Sequence, residues 1–389
     1  MKALCWVGAD ALSLQTVPDP QLIDPEDMIV KVTRTVTCGS DLHLLAGYVP
    51  SVERGDVIGH EFVGEVVEVG PQVRNHRPGD RVVVSSFIAC GRCWYCHQGL
   101  FSCCDNTNTC PAIAEALWGF APGGCFGSSR AMGGNAGSHA EFVRVPFADV
   151  GAVRIPDGVS DERAVFASDA VSTGWTGADL GGVTGGDVVA VWGAGAVGQM
   201  AARAAELLGA GQVIIVDRFD YRLEAAACML GCETLNYDRD DVPGELLDRS
   251  GGRGPDVCIE AVGIQAHSSW PDPVYDQVKR QLRLQGDRPT AVREAIQSCR
   301  KGGSVFVLGG FAGVVDKFPL GALMNKSLTV RGAQMHAPRY LPMLLERMER
   351  GEIVTEYLAT HTLPLDDGPY GYELFKNKKD GCIRTVFVP

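Results

Sequence analysis

The sequence predicts an α/β protein of two domains, a β-rich domain followed by a doubly wound parallel sheet, and three observations carry this. The first 150 residues hold short Val/Ile/Thr-containing runs broken by Gly and Pro, such as Met28 to Val36, Glu61 to Val69 and Asp80 to Ser85, the pattern of compact β structure. After about Pro156 the texture becomes apolar strand, glycine turn and helix in alternation, as in a sheet with crossover helices. Finally, 389 residues, at roughly 150 per domain, leave room for two separate cores.

Residues 1–169 are read as the first domain, 170–333 as the second, and 334–389 as a return to the first through the strand-like run Ile383 to Val388. The second domain opens on Val188 to Trp192, turns through Gly193-Ala194-Gly195-Ala196-Val197-Gly198, and enters an Ala/Leu-rich helix reaching Leu208. Strands at Gln212 to Val216, Asp256 to Ala261 and Ser304 to Leu308 continue the pattern. A helical insertion is expected near 265–300, where Val274, Val278 and Leu282 stand at helical spacing and Pro289 suits a helix's first turn.

Composition removes several function classes. Hydrophobic residues at 46% and charged residues at 21% exclude a largely disordered, collagen-like or coiled-coil chain. The net charge, 35 − 47 = −12, argues against phosphate-backbone attraction and so against nucleic acid as a partner. Met1-Lys2 begins a short apolar stretch that Asp10 interrupts, unlike a secretory signal, and no run approaches the length of a membrane span. The expectation is a cytoplasmic protein with no membrane partner. Its 14 cysteines then sit in a reducing compartment, and the seven between Cys90 and Cys125 point to metal rather than disulfides.

Gly193-x-Gly195-x-x-Gly198 follows an apolar strand and opens a helix, with Asp217 at the end of the next strand, 19 residues beyond Gly198. This is the context of a Rossmann dinucleotide turn. The glycines, with Ala196 and Val197, let the backbone approach a pyrophosphate at a helix N-terminus, and Asp217 can accept both ribose hydroxyls. That carboxylate would repel a 2′-phosphate, which favours NAD. Arg218 beside it either stacks on adenine or partly accommodates a phosphate. The alternative is a structural turn with no ligand.

Cys90-x-x-Cys93-x-x-Cys96 followed by Cys104 places four thiolates on a Gly-containing loop, enough to close a tetrahedral structural zinc site. Cys103 competes for the fourth position, and an iron–sulfur cluster is the alternative occupant. Cys38-Gly39-Ser40-Asp41-Leu42-His43 and Gly59-His60-Glu61 offer a Cys and a His from separate loops, two ligands of an open catalytic zinc. Taken alone, His60 also reads as a satisfied core histidine.

These motifs, with Gly381-Cys-Ile-Arg384-Thr near the end, resemble the zinc-dependent medium-chain alcohol dehydrogenases in their order and over nearly the whole chain. The likeness extends to the glutathione-independent formaldehyde dehydrogenase branch through Phe166-Ala-Ser-Asp169-Ala-Val-Ser-Thr173-Gly174, Gly137-Ser-His-Ala-Glu-Phe-Val-Arg-Val-Pro146, and Asp287-Arg288-Pro289 with Cys299-Arg-Lys-Gly-Gly303. The resemblance implies a GroES-like catalytic domain beside the Rossmann domain, and a catalytic zinc held by Cys38, His60 and Asp169 with Glu61 as nearby or alternate ligand. Many members carry a Cys where this sequence has Asp169; the other reading of Asp169 is a helix cap before Ser172 and Thr173.

It further implies a proton relay through Ser40 and His43, unless His43 is a surface residue, with Thr173 bordering the nicotinamide and Arg384 meeting the pyrophosphate. Otherwise Arg384 reads as a strand-end charge facing water. The expected activity is hydride transfer between a small alcohol or aldehyde and NAD, with two zinc ions per chain, one catalytic and one structural. The alternatives are dismutation on a tightly held NAD, which the 265–300 insertion would cover, and a noncatalytic NAD-binding protein. Relatives are oligomers, so a homodimer or homotetramer is expected. The substrate pocket is expected between loops at Ala46 to Val52 and Cys110 to Gly137, whose Trp118, Phe120, Phe126 and Met132 either line it or belong to the core.

Overall fold

The computed structural model describes residues 1–389 except 48, 50, 266–288, 312 and 316. The chain divides into two compact units, one of residues 1–172 with 335–389 and one of residues 173–334. Most of the insertion expected near 265–300, with Val274, Val278 and Leu282, lies outside the described residues; its far end is the helix Thr290–Ser298, preceded by Pro289.

The first unit begins with a hairpin, β1 (Lys2–Gly8) and β2 (Ala11–Thr16), turned at Asp10 with φ 59°. Then β3 (Met28–Val36), β4 (Glu61–Val69) and β5 (Arg81–Val84) pair antiparallel in sequence, β6 (Phe142–Val145) joins β3, and β7 (Ala152–Arg154) joins β5. Alternate residues of a strand share one face, so Met28, Val30 and Val32 meet Phe62, Val66, Val82 and Val84 in one apolar core. Two register shifts interrupt β3 against β4, and at the second Gly64 lies where any Cβ would overlap Lys31 O. The strand pair can approach there only with glycine. Val36 pairs with Glu61, so the exit of β3, which leads to Cys38, and the entry of β4, which follows His60, lie at the same end of the sheet.

The second unit is a six-stranded parallel sheet. Its strands are β8 (Val188–Trp192), β9 (Gln212–Asp217), β10 (Glu233–Asn236), β11 (Val257–Glu260), β12 (Ser304–Val307) and β13 (Thr329–Gly332), in the order β10-β9-β8-β11-β12-β13. Runs such as Val-Val-Ala-Val-Trp and Val-Ile-Ile-Val are apolar on both faces because helices cover both sides of a parallel sheet. The order reverses between β8 and β11, the switch point of a doubly wound sheet, where such folds bind ligands beyond the strand ends.

The chain then re-enters the first unit. β14 (His361–Pro364) and β15 (Thr385–Val388) extend its sheet to the order β14-β15-β3-β4-β5-β7, with β15 antiparallel to β3 at Val386–Val36 and Phe387–Thr35. Between them the helix Gly368–Asn377 lies close on the sheet, since a Cβ on Gly371 would stand 2.5 Å from the Phe387 ring.

Candidate metal and active site

Both sulfur-bearing groups singled out in the sequence assemble within the first unit. The donor atoms of Cys90, Cys93, Cys96 and Cys104 all lie within 4.8 Å of one another. The Cys93 and Cys104 sulfurs are 3.9 Å apart, close to the edge of about 3.8 Å that a tetrahedron with Zn–S bonds of about 2.3 Å requires. Cys104 Sγ accepts the Cys90 N–H at 3.3 Å, and Cys90 Sγ accepts from Arg92 N at 3.5 Å and Asn106 Nδ2 at 3.2 Å. Burial would raise the Cys90 thiol, but these donors outweigh it and bring it down to about 7; burial pushes Cys96 and Cys104 up. Crowded thiols of that kind fit one dication, which favours the thiolate in all four at once. Cys103 is exposed and outside the group.

Cys38, His60, Glu61 and Asp169 form the second group, again with donor atoms within 4.8 Å of one another. Asp169 Oδ2 stands 3.8 Å from Cys38 Sγ and 3.1 Å from His60 Nε2. Asp169 occupies the break between the short helix Val165–Ser168 and the helix Ala170–Gly181, with φ −141° and ψ −70°, and that break turns its carboxylate toward the sulfur and imidazole. The other imidazole nitrogen, Nδ1, is 3.1 Å from Asp41 Oδ1. Glu61 is sealed, and neither carboxylate oxygen has a hydrogen bond; Arg384 stands 3.3 Å away as a counter-charge, off hydrogen-bond alignment. Buried carboxylate oxygens are normally satisfied, so this orphaned pair fits a site for a cation.

The electrostatics agree. Burial raises the Glu61 carboxyl well above its usual range despite Arg384. Cys38 is lowered: burial alone would raise it, and Arg384 and His60 outweigh that. Asp41 is held at about 2 because His60 overrides burial, and His60 in turn is raised by Asp41 and Cys38 against the burial penalty. A soft sulfur, a borderline nitrogen and two hard oxygens in an anionic recess suit zinc.

Arg384 is buried rather than facing water, and its guanidinium also donates to Thr37 O. Ser40 leads into the helix Asp41–Leu45 and its Oγ stands 3.4 Å from His60 Nε2; His43 is buried on that helix. Of the candidate pocket residues, Phe126 belongs to the core, edge-on to Phe62 with ring centroids 5.5 Å apart, whereas Phe120 is exposed. Trp118 and Met132 are half-buried, and positions 48 and 50 of the other loop lie outside the described residues.

In the second unit the glycine turn joins β8 to the helix Ala196–Leu207, whose first residues are Ala196 and Val197. Gly193 has φ 101°, and a Cβ on Gly198 would overlap Gly193 O, so both positions demand glycine, while the space beside Gly195 is open. Asp217, at the end of β9, accepts Ala194 N–H at 2.7 Å, Arg218 N–H at 2.6 Å and Phe219 N–H at 3.1 Å. It therefore braces the turn as well as presenting acceptors. Arg218 lies over the Phe219 ring and 3.6 Å from Asp238. Thr173 is buried.

Sequence reasoning quoted Asp41 and His139 without giving them a role and passed over Tyr372. The missed signal was polar side chains inside apolar surroundings: Asp41 and His139 are fully buried. Burial pushes His139 down to about 4 from an ordinary 6.5, against the pull of Asp41. The unfolded chain therefore takes up this proton below pH 6.5 and the folded one only near 4, so stability is present above 6.5 and is lost as the pH falls through that window. The slope is about 1.4 kcal/mol per pH unit. Urea unfolding at pH 7 and 5 should show wild type losing about 2 kcal/mol more than His139→Gln; equal losses refute the assignment.

Comparison with known proteins matches the Alcohol dehydrogenase GroES-like domain over residues 24–157 and the Zinc-binding dehydrogenase family over 196–270. An uncharacterized zinc-type alcohol dehydrogenase-like protein of Bacillus subtilis is 37% identical over the full length of both chains. The glutathione-independent formaldehyde dehydrogenase of the same organism is 31% identical, covering 96% of this chain and 94% of its own. Among solved structures, an alcohol dehydrogenase from Thermus sp. ATN1 superposes with TM-score 0.82 at 33% identity, covering 100% of this chain and 99% of its own. Among the described residues no helix is long and apolar enough to cross a membrane. With its domain types, fold and full-length likeness in agreement, the chain belongs to the zinc-dependent medium-chain alcohol dehydrogenase family, as a zinc-type alcohol dehydrogenase-like oxidoreductase.

Proposed function

We propose that the protein oxidises a small alcohol or aldehyde with NAD, or runs the reverse reaction, using one zinc ion at Cys38, His60 and Asp169 and a second at Cys90, Cys93, Cys96 and Cys104. The observation that carries this is the convergence of a thiol, an imidazole and a carboxylate that are distant in sequence. When bound there, zinc supplies Lewis acidity that lowers the pKa of a substrate hydroxyl, and NAD supplies the hydride acceptor.

The chain's own groups do the rest. Arg384 and His60 lower the Cys38 thiol against the burial penalty, and the Glu61 carboxyl stands by as a further donor. Ser40 Oγ, beside His60, takes the substrate proton and passes it toward the buried imidazole of His43 on the following helix. In the second unit, Asp217 retains acceptor capacity beyond its three backbone partners and receives the adenosine ribose hydroxyls; its charge selects NAD over NADP. The Arg384 guanidinium is committed to Glu61 and Thr37 O, so a pyrophosphate contact would be an addition to those partners.

The test is an alcohol and aldehyde panel with free NAD, followed at the reduced-nicotinamide band, beside metal analysis of the purified chain. Two zinc ions per chain with NADH growth support the reading. Product without net NADH means dismutation, and metal without turnover or NAD binding means a noncatalytic protein. Ser40→Ala should lower kcat about a hundredfold with metal content unchanged; an unaltered kcat removes Ser40 from the relay.

A further inference from the structure

Behind His60 lies a sealed chain of polar side chains that no step above uses. Asp41 Oδ2 accepts the Tyr372 O–H at 2.7 Å and the Cys38 N–H at 2.8 Å, while Oδ1 faces His60 Nδ1 at 3.1 Å. The Tyr372 oxygen is 2.8 Å from His139 Nε2, and His139 Nδ1 is 2.8 Å from Thr35 Oγ1. Thr35 Oγ1 also lies 2.9 Å from the backbone oxygen of Glu61 and 2.8 Å from Ser138 Oγ, and its one proton serves either that carbonyl or His139 Nδ1. Asp41, His139 and Thr35 are 0% exposed and Tyr372 2%.

The proton order follows from one end. A carboxylate only accepts, so Tyr372 commits its single proton to Asp41 and its oxygen accepts from His139 Nε2–H. With both lone-pair regions of Oδ2 so engaged, Asp41 keeps a fixed orientation, and Oδ1, ion-paired with His60 Nδ1 at 3.1 Å though off hydrogen-bond alignment, favours the proton on that nitrogen. His60 Nε2 is then the lone-pair nitrogen, on the side of Cys38 and Asp169.

The packing around the chain is equally specific. Gly368 and Gly371 let the helix that carries Tyr372 approach Leu4 and Phe387, where Cβ atoms would stand 2.7 and 2.5 Å away. Gly59, next to His60, has φ +92°, and a Cβ there would overlap the His139 imidazole. The His139 ring is held edge-on by Phe387 at 5.2 Å, and its carbonyl accepts the Leu4 N–H at 2.7 Å. A phenylalanine would fill the space of Tyr372, so the hydroxyl contributes direction rather than volume.

We propose that Tyr372 and His139 are positioning residues for the metal ligand His60, acting through Asp41 to fix its tautomer and ring plane. This rests on the metal-site reading above. Partners of a ligating histidine typically change metal affinity by about 10- to 100-fold when removed, and buried networks of this kind act as units.

The experiment loads the full chain with Co²⁺ alone, titrates it against a chelator, and records the cobalt d–d spectrum and the melting curve. Tyr372→Phe should weaken the second-site ion about tenfold and shift its d–d band, with the four-cysteine ion unmoved as internal control. His139→Gln keeps an N–H for Tyr372 and should stay within about threefold of wild type. The double variant Tyr372→Phe/His139→Phe leaves no orphaned imidazole and should melt near wild type, yet keep the tenfold loss. If Tyr372→Phe folds poorly, the double variant decides. Affinity and spectrum within twofold of wild type in either overturn the proposal. A wild-type chain that takes up only one Co²⁺, at the four cysteines, overturns the metal-site reading instead, and the proposal with it.

Discussion

Asp169→Ala should lower kcat/KM at least about a thousandfold and weaken the catalytic-site ion at least about a hundredfold, while the four-cysteine ion stays in place. The charge count shows why. A dication with one thiolate and one carboxylate would be neutral; without Asp169, whose oxygen stands 3.8 Å from Cys38 Sγ and 3.1 Å from His60 Nε2, it would be left with two protein ligands and an uncompensated charge in a largely buried recess. Glu61 is close enough to substitute, so the single variant should keep a weakly held ion and Asp169→Ala/Glu61→Gln should keep none. Asp169→Cys restores the neutral sum with a softer donor, so it should bind zinc at least as tightly and turn over more slowly, because the metal is less electrophilic. Metal analysis after gel filtration, with steady-state kinetics on the same samples, checks each step. Full metal content and full activity in Asp169→Ala would remove it from the ligand set.

That cluster of side chains shows where sequence reading works and where it stops. The parallel sheet was legible because strand β8, the glycine turn and the following helix are contiguous, and local spacing alone encodes them. The cysteine lobe was legible for the same reason: its four sulfurs fall within fifteen residues. Cys38 and His60 needed more, since their meeting depends on the register of Val36 opposite Glu61, which no local pattern specifies. Asp169 was reachable only by resemblance, because its direction comes from a break between two helices. The Asp41–Tyr372–His139 chain was invisible: its residues come from three parts of the chain, and nothing in their neighbours' periodicity distinguishes a buried tyrosine hydroxyl that has a partner from one facing water. Phe126 and Phe120 make the same point in reverse. Both were candidates for one pocket wall, yet one is in the core and the other is exposed.

The lobe itself should prove the least forgiving part of the chain, and Cys104→Ser is the variant that shows it. The buried cluster there consists of Ala89, Cys90, Cys96 and Cys104, with Cys93, Phe101, Phe147 and Val150 packed on it, so three of its four buried members are cysteines. Little apolar area would hold the loop without an ion, and burial already disfavours a free thiolate at Cys96 and Cys104. For such a segment metal binding is folding energy, and losing one of four thiolates should cost several kcal/mol locally, about 10 °C in Tm for a chain of this size. Cys104 also receives the Cys90 N–H, an anchor that a serine hydroxyl, smaller and less polarizable, reproduces poorly. The β3–β4 sheet does not pass through the lobe, so the catalytic-site ion should remain bound at low temperature. The expected result is a chain with one metal ion instead of two, new proteolytic cleavage between residues 90 and 110, and activity that survives at low temperature but not after heating. Cys103→Ser, at an exposed sulfur outside the cluster, should change none of these. Matching metal content and melting for Cys104→Ser and Cys103→Ser would mean that the four-sulfur site does not hold the lobe.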